Sequence, residues 1–226
     1  VNFVVLIFTM LLILYGVYAF WDTRQVYGAA SAQKYETYKP KKDDSVSFEQ
    51  LQAQNPEVIG WLHVYGTKID YPFTQAEDNS KYVNTDVMGE YALSGSLFLD
   101  CMNAPDFSNF NNIIYGHHMR NGTMFADLVK LRDQRFVKKH DLIRLYLPEK
   151  TIDLTIVSAY AGKVQRIPIT FKSKEAKEKW EDEIKNRSEI ISRKKLEGRI
   201  YTFVTCSYER ENNRTYVYAI ERKNTK

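Results

Sequence analysis

The chain has 226 residues, 44% hydrophobic and 27% charged, so it is long enough and apolar enough to fold around at least one sizeable core. Its net charge of +4 is mild, and no Lys/Arg block is interleaved with aromatic residues, which argues against a nucleic-acid-binding surface. Two cysteines are too few for a disulfide framework; a single Cys101–Cys206 bridge is the one pairing that arithmetic allows.

The first element in chain order is an apolar run. Phe3 to Trp21, "FVVLIFTMLLILYGVYAFW", is 19 residues without a charge, about the length that crosses a bilayer core. Tyr15, Tyr18 and Trp21 cluster toward one end, as interface anchors do. The run exceeds the h-region of an ordinary signal peptide, although "ASA" at Ala30 to Ala32 resembles a cleavage site. It has no polar face, which sets it apart from a buried core helix. The reading is an uncleaved anchor over residues 1–21. Its orientation does not follow from charge. Residues 22–46 are polar and lysine-bearing and read as a helical stem and linker.

A third segment, 47–226, reads as the working domain. Ser47 with Gln50 three residues on forms a capping box for a short helix that Pro56 ends. "VIGWLHV" and "KIDYPF" then flank Tyr65-Gly66-Thr67 as a hairpin. Further strands are expected at 94–100, 111–116, 142–148, 151–162, 199–206 and 214–222. Two helices interrupt them. Residues 123–133 place Met124, Leu128 and Leu131 at helical spacing. Residues 173–195 are highly charged, with a narrow stripe of Ala176, Trp180, Ile184 and Ile190 or Ile191, and so predict a surface helix inside the long connection between the sixth and seventh strands. About eight strands with few helices predict a mainly β fold, a closed or nearly closed barrel with peripheral helices.

Three residues carry candidate chemistry. Cys206 sits at the end of a strand that is apolar on both faces, as in a strand covered on both sides. Polar "ERENN" (209–213) marks a turn, and a hairpin about it brings Arg214 back beside Cys206, with cross-strand Cβ atoms ~5 Å apart. A guanidinium there favours the thiolate, which is the nucleophilic form, and can hold an oxyanion. In "IIYGHHM" (113–119), a histidine follows directly on a strand and a glycine, a place suited to a general acid or base. Adjacent histidines rarely chelate one ion and no Cys or carboxylate cluster accompanies them, so no metal and no cofactor is expected. His63 and His140 look incidental.

These segments resemble a known family. "TFVTC" (202–206) is similar to the TLxTC signature of sortases, with Phe203 in place of the Leu. "YGHHM" (115–119) resembles the segment around their histidine. "TCSYE…R", with Arg214 eight residues past the cysteine, resembles class B in particular, as do "SGSLFLD", "IGWL" (59–62) and "IDYPF" (69–73). The likeness runs over roughly residues 45–222. It implies a β-barrel cysteine transpeptidase on the outer face of a Gram-positive membrane. Such an enzyme cleaves a C-terminal sorting signal after its Thr, forms a thioester and passes the acyl group to an amine.

By position, Cys206 matches the nucleophile, His117 the acid/base and Arg214 the oxyanion or substrate-positioning group, while His118 matches none. Thr205, Leu99, Ser96, Tyr208 and Ile167 fall where the family contacts its substrate. The implied partners are a surface protein or pilin bearing the signal, a peptidoglycan precursor amine, and the membrane through the N-terminal helix. The 163–198 connection resembles the class B insert that helps select the signal, and the class A calcium requirement is not implied.

Three departures stand out. Phe203 and Val204 are uncommon before Thr-Cys. Cys101 stands in "FLDCMN" where relatives often carry an aromatic, and a bridge from it to Cys206 would abolish activity. Asp100 tempts as a third catalytic group but reads first as a strand-end residue making local hydrogen bonds. A pilin polymerase of the same fold uses the same three residues with a pilin lysine as acceptor. A cysteine endopeptidase would hand the acyl group to water, and a non-enzymatic anchored binding domain would leave His117 and Arg214 without a joint role.

Overall fold

The structure, a computed structural model, describes residues 2–40, 46–192, 196–207 and 212–222; of residues 46, 47, 206 and 207 it describes the backbone. The first helix, α1 (Asn2–Ala29), is one continuous rod with none of its residues buried. Its 28 residues at 1.5 Å rise make it about 42 Å long, more than a bilayer core needs.

The stem does not stay free. Helix α1 runs on into the expected stem as far as Ala29, and Ala32–Tyr38 then form a 3-10 helix. Ala30 is buried, and its carbonyl accepts from the Tyr71 hydroxyl at 3.0 Å. Tyr35 packs with Phe48, Leu51, Val58, Trp61 and Val87. Phe48 and Leu51 come from the short helix α2 (Val46–Gln54), which begins one residue before the expected cap; the Ser47 side chain lies outside the described residues.

Eight strands among the described residues close a barrel: β1 (Val58–Val64), β2 (Asp70–Thr74), β3 (Leu97–Leu99), β4 (Asn111–Tyr115), β5 (Leu142–Tyr146), β6 (Thr151–Lys163), β7 (Ile200–Ser207) and β8 (Asn213–Glu221). The order around it is β1-β2-β3-β4-β7-β8-β6-β5, with β5 returning to β1. Two neighbour pairs are parallel, β2 with β3 and β4 with β7. Parallel neighbours need long crossovers, and the excursions at 75–96 and 116–199 supply them. Strand β2 starts at Asp70 rather than Lys68, because the turn takes up two more residues: Ile69 N donates to Thr67 Oγ1 and Lys68 N to the Asp127 carboxylate.

Both helix expectations shorten for physical reasons. Phe125–Arg132 is a 3-10 helix, not an α-helix. Its buried residues Phe125, Leu128 and Leu131 recur every three positions, which suits three residues per turn. A short α3 (Gln134–Lys139) follows, capped by Asp133, whose carboxylate accepts from Arg135 N at 2.7 Å. Helix α4 (Lys174–Arg187) starts on Ser173 as expected but stops at Ser188. There the chain ties to β6 instead: Glu189 N donates to Ala159 O at 2.8 Å, and Ile190 turns inward while Ile191 is exposed.

Strand β7 is covered on both faces, as its sequence predicts. Tyr201 and Phe203 fill the barrel interior with Phe107 and Phe125. Ile200 and Val204 lie outside it, beneath Ile167 and α4's Ile184.

Candidate active site

The parallel β4–β7 pair sets the site. Parallel strands exit on the same end of a sheet, so the residues just past β4 land beside the end of β7. Tyr115 pairs with Val204, and Gly116 N extends the ladder by one bond to Val204 O at 3.1 Å. Position 116 has no room for a Cβ unless its neighbours shift. A Cβ there would lie 2.3 Å from Leu97 Cδ2 and 2.8 Å from Phe125 Cδ2. His117 comes next, and its carbonyl accepts from Phe125 N at 2.8 Å. Its ring Nε2 is 2.8 Å from the Val83 carbonyl oxygen.

The β7–β8 hairpin adds the other two residues. Its register makes Cys206 and Arg214 direct partners. The turn residues 208–211, Tyr208 among them, lie outside the described residues, as does the Cys206 side chain. Arg214 Nη1 donates to Asn213 O at 3.1 Å.

A cavity of about 390 Å³ opens at this end of the barrel. His117, Arg214, Thr205, Val204, Ile167 and Tyr216 are among its lining residues. Thr205 and Thr215 are cross-strand partners, and among the described residues neither buried hydroxyl has a hydrogen-bond partner. Buried polar groups are rarely left unpaired, so the Thr205 hydroxyl in the cavity wall is available to a bound peptide. A second cavity, of about 720 Å³, shares Asn79, Tyr115, Gln165 and Ile167 with the first and runs on along residues 166–172. The two adjoin, and residues of the β6–β7 connection line both. A third cavity, of about 510 Å³, lies around Arg144 and Asp153 and has neither cysteine nor histidine in its wall.

The sequence over residues 62–222 matches the Sortase domain family. The chain belongs to the sortase family. It is 34% identical over 165 residues to sortase B of Listeria monocytogenes, covering 71% of this chain and 67% of that protein. To sortase B of Staphylococcus aureus it is 32% identical over 195 residues, covering 83% and 80%. Among solved structures, a Staphylococcus aureus sortase B–substrate complex superposes with a TM-score of 0.75 at 31% identity, covering 86% of this chain and 94% of that one. This sortase is therefore a cysteine transpeptidase of class B, built on the closed eight-stranded barrel that its sequence predicts.

The structure sorts the expected contact residues. Thr205 and Ile167 line the sortase cavity. Leu99 is packed in the barrel core, and Ser96 is buried with its hydroxyl donating to Thr85 O at 2.9 Å. Side chains alternate along a strand, so the cavity side of β3 falls to Phe98. Sequence reasoning missed Asn79 and Val83, which come from the 75–96 crossover. Its one signal is the Asx turn at Asp78, whose carboxylate accepts from Ser80 N and Lys81 N.

Asp100 is engaged locally. Its carboxylate accepts from Asn79 Nδ2 (3.0 Å), Tyr115 Oη (3.2 Å) and Met102 N (2.9 Å). Burial, and then the Asp100 charge, push the Tyr115 phenol above its ordinary range. Cys101 is a free thiol, so no bridge to Cys206 forms. Partial burial pushes its pKa up, and the Asp100 and Asp78 carboxylates push it further. A thiol held protonated is a poor nucleophile, which leaves Cys206 as the better candidate. No group of three or more potential metal ligands occurs among the described residues.

Proposed function

We propose that this sortase is anchored in the membrane by α1, with its barrel on the outer face, and that it joins signal-bearing surface proteins to an amine of the cell wall. The observation that carries the reading is the pairing of Cys206 with Arg214 at the rim of a cavity that His117 also lines.

In the first half-reaction the Cys206 thiolate attacks the carbonyl carbon of the signal's Thr. The developing oxyanion takes hydrogen bonds from Arg214. His117 gives a proton to the leaving amine as the C–N bond breaks, and a thioester remains. In the second, His117 takes a proton from the incoming amine, the nitrogen attacks the thioester, and the Cys206 thiolate leaves. Water is present at ~55 M, so transfer requires that the amine be positioned and water hindered. We assign that role to the β6–β7 connection, whose Gln165 and Ile167 line the cavity.

Anchoring draws support from the helix and from the stem. The helix from Asn2 is long and apolar enough to cross a membrane. Ala30 is locked to Tyr71, a contact that cleavage after Ala32 would discard.

A library of sorting-signal pentapeptides, offered with oligoglycine, a diaminopimelate-type peptide or a pilin lysine peptide, tests the proposal. The amine should divert product from Thr free acid to Thr amide, read by mass. Free acid with all three amines at millimolar concentration would mark an endopeptidase. Preference for the pilin lysine would mark a pilus polymerase.

A further inference from the structure

Among the described residues, the His117 ring meets a main-chain carbonyl and no carboxylate. The Nε2 to Val83 O distance is 2.8 Å. A carbonyl oxygen has no proton to give, so Nε2 must carry the hydrogen. The Asp100 carboxylate, the acid of the adjoining cavity, is taken up by Asn79, Tyr115 and Met102.

Val83 is itself held. It ends a 3-10 turn (Lys81–Val83), and its N–H donates to Ser80 O at 3.2 Å. Tyr82 beside it is buried, its hydroxyl on Glu57 Oε2 at 2.5 Å and its carbonyl accepting from Ser96 N at 2.9 Å. The carbonyls of both residues lie directly against Gly95. A Cβ at Gly95 would be 2.4 Å from Tyr82 O and 2.5 Å from Val83 O, both main-chain atoms that cannot rotate aside. Gly89, in the same crossover, is also left-handed, with φ of +86° against +54° at Gly95, but nothing lies within 4 Å of its Cβ position.

We infer that the Val83 carbonyl fixes His117 in the tautomer protonated on Nε2, that Nδ1 is the nitrogen exchanging protons with the reacting groups, and that Gly95 is a positioning residue for that carbonyl. The inference rests on reading His117 as the acid/base. Its consequence is mechanical. Nδ1 gains a proton from one partner and gives it to the next, while Nε2–H keeps its bond to Val83 in both charge states. The ring need not turn over during the cycle. A neutral carbonyl does this without placing a second negative charge beside the thiolate.

The test is ring-nitrogen NMR on the full chain in detergent micelles, with ¹⁵N-imidazole histidine. There are four histidines, and the signal missing from His117→Gln assigns the one in question. In the neutral ring, Nε2 should be the protonated, pyrrole-type nitrogen and Nδ1 the pyridine-type one. A neutral ring protonated on Nδ1 overturns the inference. Gly95→Ala should mix the His117 tautomers and lower kcat by about 10- to 100-fold, as small misplacements of catalytic groups do. Gly89→Ala carries at least as much backbone strain and should leave spectrum and kcat unchanged. A folded Gly95→Ala with wild-type spectrum and kcat refutes the role of Gly95. Should Gly95→Ala not fold, the wild-type spectrum alone decides the tautomer. Full activity in His117→Ala would instead defeat the acid/base reading, whatever the ring's tautomer.

Discussion

Cys206 and Arg214 face each other as residue partners across the antiparallel β7–β8 pair, at the end of a ladder that runs Phe203–Val217, Val204–Tyr216 and Thr205–Thr215. The ladder fixes where the Arg214 side chain starts from, directly across from the Cys206 backbone. Arg214→Ala should therefore cost at least ~10² in kcat/KM on a matched signal peptide, the scale of a lost oxyanion donor. Arg214→Lys should recover little of it, because a point-like ammonium does not reproduce the planar fork. Near-wild-type kinetics for Arg214→Ala would remove it from the chemistry.

The two adjacent histidines should separate by kinetics. His117 lines the cavity, whereas His118 forms an isolated β-bridge with Met124. His117→Ala should lose ~10² or more in kcat/KM. His118→Ala should lose far less. Equal losses would mean the acid/base has been assigned to the wrong ring.

The stem should respond to acid. Lys39 forms an ion pair with the Asp70 carboxylate, which also accepts from Trp61 Nε1 at 2.7 Å. Burial raises the Asp70 pKa, but hydrogen bonds from His63, Lys39 and Trp61 outweigh it and hold the group below the usual carboxylate range. A depressed folded pKa stabilises the fold above the unfolded value and not below the folded one. The contribution should be complete above about pH 5, a unit over an unfolded Asp near 3.9, and should fade as pH falls through the folded value. Asp70→Asn should cost about 1–3 kcal/mol at pH 7. Denaturant melts of the two proteins should converge as pH falls below the ordinary carboxylate range.

Much of the fold was legible because periodicity reports burial. β6, with its long apolar run, and β7, apolar on both sides, were placed within a residue or so of their ends. The Phe125–Arg132 segment misled because apolar residues three apart look nearly the same as a helical stripe until hydrogen bonding is known. The stem misled for another reason. Tyr35 sits in a polar stretch, and its burial against Trp61 and Val87 depends on contacts distant in sequence. At the candidate site, the pairing of Cys206 with Arg214 and the place of His117 in the cavity wall were readable because each stands at a strand end beside a turn signal. Asn79 and Val83 were not, since the 75–96 crossover has no period to say that it folds back over β4. On β3 the strand was visible but its facing was not, which is why Phe98 rather than Leu99 lines the cavity.

The central claim is that Cys206 carries the acyl group. The most direct measurement is intact-protein mass spectrometry during turnover of a matched signal peptide without amine, followed by peptide mapping. The account predicts a mass increase equal to the acyl fragment ending at Thr, located on the peptide containing Cys206, discharged by hydroxylamine and absent in Cys206→Ala. An adduct on Cys101, or steady turnover by Cys206→Ala, would contradict it.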